Sequence, residues 1–264
     1  PSENSAPSLM NDFAGGTTFG ILVHEVLQRV DTSVTDLAIE VRARTREVVT
    51  RRSANVDVDQ LAAALSAVMA TPIPGGTLGA VAPADRLVEM EFELPLAGGD
   101  HPKEGAATLT AIADLLETYL PPDDPLKAYP AVLRTISGPL LLGYLTGSID
   151  AVLRFDGPRY VVVDYKTNKL FPGPVDATQF DQAAMAAEMI RHHYPLQALL
   201  YSVALHRYLR WRQPGYHPEE HLGGVQYLFV RAMVGESTPP GCGVFAWNPR
   251  PTLVSALSDL LAAL

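Results

Sequence analysis

A β-hairpin is predicted over residues 147–169, GSIDAVLRFDGPRYVVVDYKTNK, and it restricts the fold more than any other feature of the chain. Apolar and polar residues alternate over 148–155 and again over 160–166, as they do in strands whose two faces differ in environment. Between these runs, Asp-Gly-Pro at 156–158 has the composition of a turn. The chain is therefore expected to build a sheet around two antiparallel strands.

The register of this hairpin brings two acidic side chains face to face. A three-residue loop pairs Phe155 with Arg159, and counting outward puts Asp150 opposite Asp164. Carboxylates about 5 Å apart across a ladder repel each other unless a positive charge lies between them. Mg²⁺ is the natural candidate, because hard cations take carboxylate oxygens and keep several waters. Lys166 points the same way and could hold a phosphate or a nucleophilic water, which indicates a metal-dependent phosphodiester hydrolase.

The same pattern has a simpler interpretation. An Asp-x-Lys sequence is common on strands, and Lys166 could merely neutralise Asp164 on a solvated face, a pairing worth about 0–1 kcal/mol. The sequence of the hairpin alone leaves both interpretations open.

Motifs of other catalytic classes do not occur. The sequence has no Gly-x-Ser-x-Gly elbow, no P-loop and no dinucleotide fingerprint. Cys242 has no base beside it in PPGCGVF, so a thiol nucleophile is not expected. Because Cys242 is the single cysteine of the sequence, an intramolecular disulfide and a four-cysteine zinc or iron–sulfur site within this chain are excluded.

Length and composition indicate one large globular domain, alone or with a small appendage. The chain has 264 residues, of which 47% are hydrophobic and 19% charged. Residues 1–15 are polar enough to predict a flexible linker ahead of a single domain over 16–264, and the start at Pro1 suggests a piece of a longer protein. Without a long apolar run or a signal sequence, a cytoplasmic protein with no membrane contact is expected.

The net charge of −9 bears on nucleic-acid binding. Affinity for phosphates rests on Lys and Arg, so an acidic chain is expected to bind DNA weakly by itself. A carboxylate-lined metal site is itself negative before its metal binds, so the charge does not exclude a nuclease. It does suggest that another domain or polypeptide delivers the substrate.

Periodicity along the rest of the chain predicts an α/β domain. The expected helices cover 17–30, 58–70, 109–120, 182–211 (with an interruption expected at Pro195) and 252–264, and the further strands cover 87–96 and 225–231. This order describes a mixed central sheet flanked by helices.

Polar side chains outside the hairpin are candidates for the same site. His24 lies on the first predicted helix, where a histidine is more often packed or solvated than a ligand, although Gly20 one turn earlier leaves space beside it. Glu89, Glu91 and Glu93 would ordinarily form a solvated strand face. Because three carboxylates in a row are costly, one of them could complete a metal site.

The helical region over 182–211 carries further candidates. Gln197 and Tyr201 are one turn apart and therefore share a face, although a half-buried tyrosine beside a glutamine is unremarkable. Arg207 and Arg210 follow and could contact phosphates, while a solvated basic end is equally expected near a helix C-terminus.

Five separated blocks together resemble a known family. They are GTTFGILVHEVL, LVEMEFELPL, GSIDAVLRFDGPRYVVVDYKTNKL, YPLQALLYSVALHRYL and HLGGVQYLFVR, in this order. They are similar to the C-terminal nuclease domain of the bacterial RecB family, within the PD-(D/E)XK nuclease superfamily, over about residues 13–230. The resemblance implies a restriction-endonuclease-like α/β core.

The resemblance also implies roles for individual residues. Metal ligands are implied at His24, Asp150, Asp164 and the backbone carbonyl of Tyr165. Catalytic roles are implied for Asp164, Lys166, Glu89 (with Glu91 as the second choice), Gln197 and Tyr201. The loop over 97–107 is short and has no recognisable motif, so any role that this region has in the family is untested for this chain.

The implied activity is Mg²⁺-dependent hydrolysis of DNA, with Mn²⁺ as a substitute, by an exonuclease that also cuts single strands internally. Such a module belongs to a RecBCD-type helicase–nuclease acting in double-strand break repair and recombination. Its implied partners are DNA, a helicase portion of the same polypeptide and RecC- and RecD-like subunits. The alternatives are a non-catalytic DNA-handling or docking module that retains the fold, which the intact candidate set argues against, and an unrelated metal-binding domain.

Overall fold

The computed structural model of the protein describes residues 5–96, 107–136, 141 and 143–262. Its helices are α1 (Thr17–Arg29), α2 (Leu37–Arg51), α3 (Val58–Ala70), α4 (Leu109–Tyr119), α5 (Tyr129–Arg134), α6 (Gln182–Arg191), α7 (Tyr194–Arg212), α8 (Pro218–His221) and α9 (Pro251–Ala262). Its strands are β1 (Pro72–Ile73), β2 (Gly76–Thr77), β3 (Arg86–Leu96), β4 (Gly143–Phe155), β5 (Arg159–Lys166), β6 (Leu222–Phe229) and β7 (Val244–Trp247). All but the last residue of the loop over 97–107 lies outside the described residues.

The main sheet is mixed and has helices on both faces. Its strand order is β3-β4-β5-β6-β7, and β5 runs parallel to β6 while the other neighbours are antiparallel. One face packs against α1, α2 and α3, and the other against α4, α6, α7 and α9. Val162 and Val163 are buried in opposite faces, which explains the almost continuous apolar run of β5. The predicted α/β fold is confirmed.

The hairpin has the predicted register. Phe155 pairs with Arg159, and the ladder continues to Ala151 and Val163. Counting one residue further places Asp150 beside Asp164, at the point where the hydrogen-bonded pairing of the two strands ends. The turn residues therefore fix which side chains meet at the far end of the hairpin.

Local sequence signals account for the helix starts. Asp57 accepts a hydrogen bond from the backbone of Gln60 and begins α3, and Asp181 does the same for Ala184 at the start of α6. In the described part of the chain, no helix is long and apolar enough to cross a membrane.

The helical region over 182–211 is broken at a different place from the one predicted. Helix α6 ends at Arg191, and α7 begins at Tyr194 after His193, whose φ of 56° is left-handed. Pro195 lies in the first turn of α7, where a missing N–H costs no hydrogen bond. The prediction also missed α2, and it placed the strand over 225–231 too late, because β6 begins at Leu222.

The N-terminal segment was expected to be a flexible linker, but its described part, 5–15, packs against the domain. Met10 and Phe13 are buried. The buried Arg231 guanidinium donates hydrogen bonds to the carbonyls of Met10 and Ala14, 2.7 and 3.1 Å away. These carbonyls satisfy a charge that is costly to bury without acceptors, so the segment is part of the core.

Candidate active site

The two aspartates of the hairpin lie at the end of its ladder. Asp164 is 3% exposed, and the Asp150 side chain is also largely buried. Beyond the last backbone pair, Asp150 Oδ2 accepts a hydrogen bond from the backbone N–H of Tyr165 at 2.8 Å. The carboxylate therefore continues the link between β4 and β5 where main-chain pairing stops.

His24 reaches this end of the sheet from α1. Its Nδ1 lies 3.3 Å from Asp150 Oδ2, and its Nε2 lies 2.8 Å from the carbonyl oxygen of Tyr165. Burial lowers the pKa of His24, but the hydrogen bond and the charge of Asp150 outweigh it, and the net pKa is raised above 6.5. An oxygen lies beside each ring nitrogen of His24. The imidazolium form is therefore favoured, because only this form can donate a hydrogen bond from both nitrogens.

Gly20 explains how α1 comes this close to the sheet. A Cβ atom at this position would lie 3.2 Å from Thr167 Oγ1, which is tighter than ordinary contact. The space predicted beside His24 is therefore filled by Thr167, the residue directly after β5.

Lys166 and Asp164 form a buried ion pair. Lys166 Nζ lies 2.7 Å from Asp164 Oδ1, and their side chains are 12% and 4% exposed. Asp164 Oδ1 is buried, and this ion-pair contact is the interaction that the structure gives it. Burial raises the pKa of Asp164 to about 6, against the opposing charge of Lys166. The simpler interpretation, in which Asp164 and Lys166 lie on a solvated face, is wrong because both side chains are largely buried. The pairing of Lys166 with Asp164 that it assumed is present.

Gln197 and Tyr201 lie beside this ion pair on α7. Gln197 Nε2 donates to Tyr201 Oη at 2.9 Å, which confirms that the two share a face. Gln197 Oε1 accepts from Lys166 Nζ at 3.3 Å and from Tyr227 Oη at 3.0 Å. Sequence reasoning did not identify Tyr227, although the strand VQYLFVR that contains it was predicted.

Glu89 occupies an unusual position on β3. Its φ of 50° is left-handed, a conformation that costs about 1–3 kcal/mol and is enriched at functional sites. The flanking residues Val88 and Met90 pack into opposite faces of the sheet, so the side-chain alternation predicted for this strand breaks here. The exposed Glu89 accepts a hydrogen bond from Gln28, and it lies across the register from Asp150. Glu91, the second choice, is exposed opposite Ser148.

A cleft of about 940 Å³ opens beside His24 and Glu89. Part of its wall consists of Lys169, Arg191 and His192, which sequence reasoning did not select. Lys169 follows the Asp-x-Lys motif by only three residues, and this proximity was the available signal. The aspartates and Lys166 are not among the described residues that line the cleft, and their side chains are largely buried.

One buried carboxylate orients this wall. Glu188 is 4% exposed, and it accepts hydrogen bonds from Asn168 Nδ2 at 2.8 Å and Arg191 Nε at 2.9 Å. His192 Nε2 lies 3.1 Å from the same carboxylate. Because Asn168 belongs to the segment after β5, Glu188 fixes the wall relative to the aspartates.

The two arginines chosen for phosphate contacts lie elsewhere. Arg207 Nε donates to Ser258 Oγ at 3.0 Å, and one terminal nitrogen donates to the Ser258 carbonyl at 2.7 Å. These bonds tie α7 to α9, which weighs against a phosphate contact. Arg210 is exposed on α7 and, like Arg207, does not line the cleft.

The donor set fits a hard divalent cation. Carboxylate and carbonyl oxygens are the ligands that Mg²⁺ prefers, and the buried Oδ1 of Asp164 has no hydrogen bond. Within the described ranges, no group of three His, Cys, Asp or Glu side chains is placed so that it could hold a metal ion. The donors contact one another instead, since His24 bridges Asp150 and the Tyr165 carbonyl.

The fold and this hairpin site define a class of protein. The chain belongs to the PD-(D/E)XK nuclease superfamily, whose pattern matches residues 5–241. It is 45% identical to the RecBCD enzyme subunit RecB of Mycolicibacterium smegmatis over 276 residues, covering 100% of this chain and 25% of that protein. The RecB of Mycobacterium tuberculosis is 46% identical over 262 residues, covering 93% of this chain and 24% of that protein. The resemblance noted in the sequence is confirmed.

A more distant relative shows the same relation of a small part to a long protein. The RecBCD enzyme subunit RecB of Escherichia coli is 36% identical over 202 residues, covering 76% of this chain and 15% of that protein. The chain spans about a quarter of the length of the two mycobacterial relatives.

Proposed function

We propose that this chain is a metal-dependent deoxyribonuclease that hydrolyses phosphodiester bonds as the nuclease module of a RecBCD-type helicase–nuclease. The buried Asp164–Lys166 pair, with Asp150 and His24 converging on it, carries the proposal. Burying two carboxylates together is costly unless cations or hydrogen bonds compensate, and this cost favours a functional site over a purely structural one. Membership of a nuclease superfamily supports the same conclusion.

The metal of this proposal is Mg²⁺, with Mn²⁺ as a substitute. Asp150, Asp164, the Tyr165 carbonyl and a neutral His24 would hold it. A bound cation supplies an acidified water and offsets charge on the phosphate. His24 must release a proton to become a ligand, because imidazolium has no free lone pair.

The remaining residues act on the reacting phosphate and on DNA. Lys166 orients the attacking water and offsets developing negative charge, and Gln197 holds the ammonium in place. Tyr201 supports Gln197, and Glu89 stands at the mouth of the site. These roles are proposals that rest on the contacts described above.

Lys169 and Arg191 line the cleft that leads to His24, which Arg207 does not. Arg191 pairs with Glu188, but its side chain is 61% exposed and can still meet a phosphate. The number of these basic residues is small and the net charge is −9, so binding is weak unless a helicase delivers the strand. We assign the module to a cytoplasmic complex with a helicase portion and RecC- and RecD-like subunits, acting in double-strand break repair and recombination.

The proposal is tested with linear and circular DNA in Mg²⁺, Mn²⁺ or EDTA. Cleavage of linear DNA with either metal and none in EDTA is expected. Cleavage of circular single-stranded DNA reports endonuclease activity, because a circle has no ends. If linear DNA is cleaved and the circles are not, the activity is that of an exonuclease alone. Asp164→Ala should abolish cleavage, whereas Asp156→Ala, in the exposed turn of the same hairpin, should not. A folded wild-type protein that cleaves nothing would support the non-catalytic docking module instead.

A further inference from the structure

The side chain of Lys166 lies against two tyrosine rings. Its Nζ is 3.9 Å from the ring centroid of Tyr194 and 5.2 Å from that of Tyr227. The rings are stacked at a centroid distance of 5.6 Å with an interplanar angle of 21°. An ammonium within about 6 Å of an aromatic face is attracted by the ring quadrupole, most strongly when both are desolvated.

The two rings are held by different elements of the fold. Tyr227 lies on β6 directly beside Asp164 in the parallel ladder, and it is fully buried. Tyr194 is the first residue of α7, and its hydroxyl accepts a hydrogen bond from Asn168 Nδ2 at 3.2 Å. Tyr227 Oη lies 3.1 Å from the Tyr194 carbonyl and 3.0 Å from Gln197 Oε1, so its single proton is shared between these acceptors or donated to one of them. The pair of rings is therefore rigidly placed before any substrate arrives.

A lysine at this position needs support that does not come from Asp164. The lysine side chain is a flexible stem with four rotatable bonds. In the structure its ammonium is paired with the Asp164 carboxylate, the group that the proposed function assigns to a cation. If that carboxylate held a cation, the Lys166 ammonium would lose its partner and would face a like charge. Aromatic faces can hold an ammonium without neutralising it.

We propose that Tyr194 and Tyr227 are positioning residues whose rings hold the Lys166 ammonium in place when Asp164 engages a cation. This inference rests on the proposed function, because it concerns the lysine of the same site. The rings leave the ammonium charged and its N–H groups free to donate, so it can still meet water and phosphate. Gln197 adds directionality through its acceptor oxygen.

The first test measures the geometry without any activity. The chain has four lysines, Lys103, Lys127, Lys166 and Lys169, so spectra of protein with ¹³Cε-labelled lysine are simple. The Lys166 signal is identified by its absence from the Lys166→Gln protein. Its Hε protons should be shifted upfield of those of Lys127 by the ring currents, both in EDTA and in Mg²⁺.

Tyrosine variants separate the ring from the hydroxyl. Tyr194→Phe should keep the upfield shift, and Tyr194→Leu should lose most of it. Tyr208→Leu is the matched control, because Tyr208 is a partly buried tyrosine on the same helix. Tyr227→Phe keeps the ring and removes only its hydrogen bonds, so it should retain the shift in a folded protein.

The second test is steady-state cleavage. In Tyr194→Leu, kcat should fall about tenfold, the size expected when one partly desolvated cation–π contact is lost, with KM for DNA unchanged. Tyr194→Phe should restore most of kcat, which a purely structural role of the hydroxyl would not allow. Unchanged kcat in the leucine variant, or a Lys166 signal without an upfield shift in wild type, would overturn the inference. An upfield signal in a wild-type protein that never cleaves would refute the proposed function and leave the ring contact intact.

Discussion

Replacing Asp164 by asparagine should change how the stability of the metal-free protein depends on pH. Burial raises the pKa of this carboxyl from 3.8 to about 6, so between these values the folded state holds a proton that the unfolded state has lost. A group of this kind makes the unfolding free energy fall as pH rises through that window. A difference of two pKa units corresponds to about 3 kcal/mol. Because Asp164 is 3% exposed, solvent screening does not reduce this figure.

The measurement is urea unfolding in EDTA at several pH values between 4 and 8. At pH 4 the carboxyl is protonated and resembles an amide, so wild type and Asp164→Asn should have similar unfolding free energies. By pH 7 the variant should be the more stable protein by about 3 kcal/mol. Asp156→Asn, in the exposed turn, should show no such growing difference. If the curves of wild type and Asp164→Asn stay parallel from pH 4 to 7, the buried-carboxylate argument is wrong.

Two further predictions concern the metal and the DNA. Millimolar Mg²⁺ should raise the melting temperature because it binds the folded state. The rise should be larger at pH 8 than at pH 6, because His24 must lose its proton to become a ligand. Asp150→Asn should abolish the rise, and an equal rise in that variant would mean that the metal binds elsewhere. A filter-binding or anisotropy assay tests DNA binding. Changing Lys169 and Arg191 to alanine should weaken binding and reduce the slope of log affinity against log salt concentration by about one to two units. Changing Arg42 and Arg46 on α2 should leave the affinity and this slope unchanged.

The hairpin could be predicted from the sequence because its information is local. The three-residue turn and the alternation of side chains determine the pairing of Phe155 with Arg159, and every later pair follows by counting. The spacing of Gln197 and Tyr201 was equally local, since one helical turn fixes their relative position. Both predictions needed no knowledge of the rest of the fold.

The cleft and its wall could not be predicted in the same way. Lys169 and Arg191 line the same cleft. The buried Glu188 joins the segment after β5 to α6 through Asn168 and Arg191, which are distant in sequence. Glu89 illustrates a second limit. Alternation predicts that its neighbours share a face, but its left-handed backbone sends them to opposite faces, and no residue-type preference signals this for a glutamate.

The charge balance of the site also changes the argument for a metal. The sequence predicts that repulsion between Asp150 and Asp164 calls for a positive charge between them, and the chain itself supplies two positive groups. His24, with its raised pKa, faces Asp150, and Lys166 faces Asp164. The charges of the metal-free site are therefore partly compensated, and the raised pKa of Asp164 means that its carboxylate still carries a net cost of burial. A divalent cation at this site would have to compete with the His24 proton and separate Lys166 from Asp164. The proposed support of Lys166 by Tyr194 and Tyr227 matters for this reason.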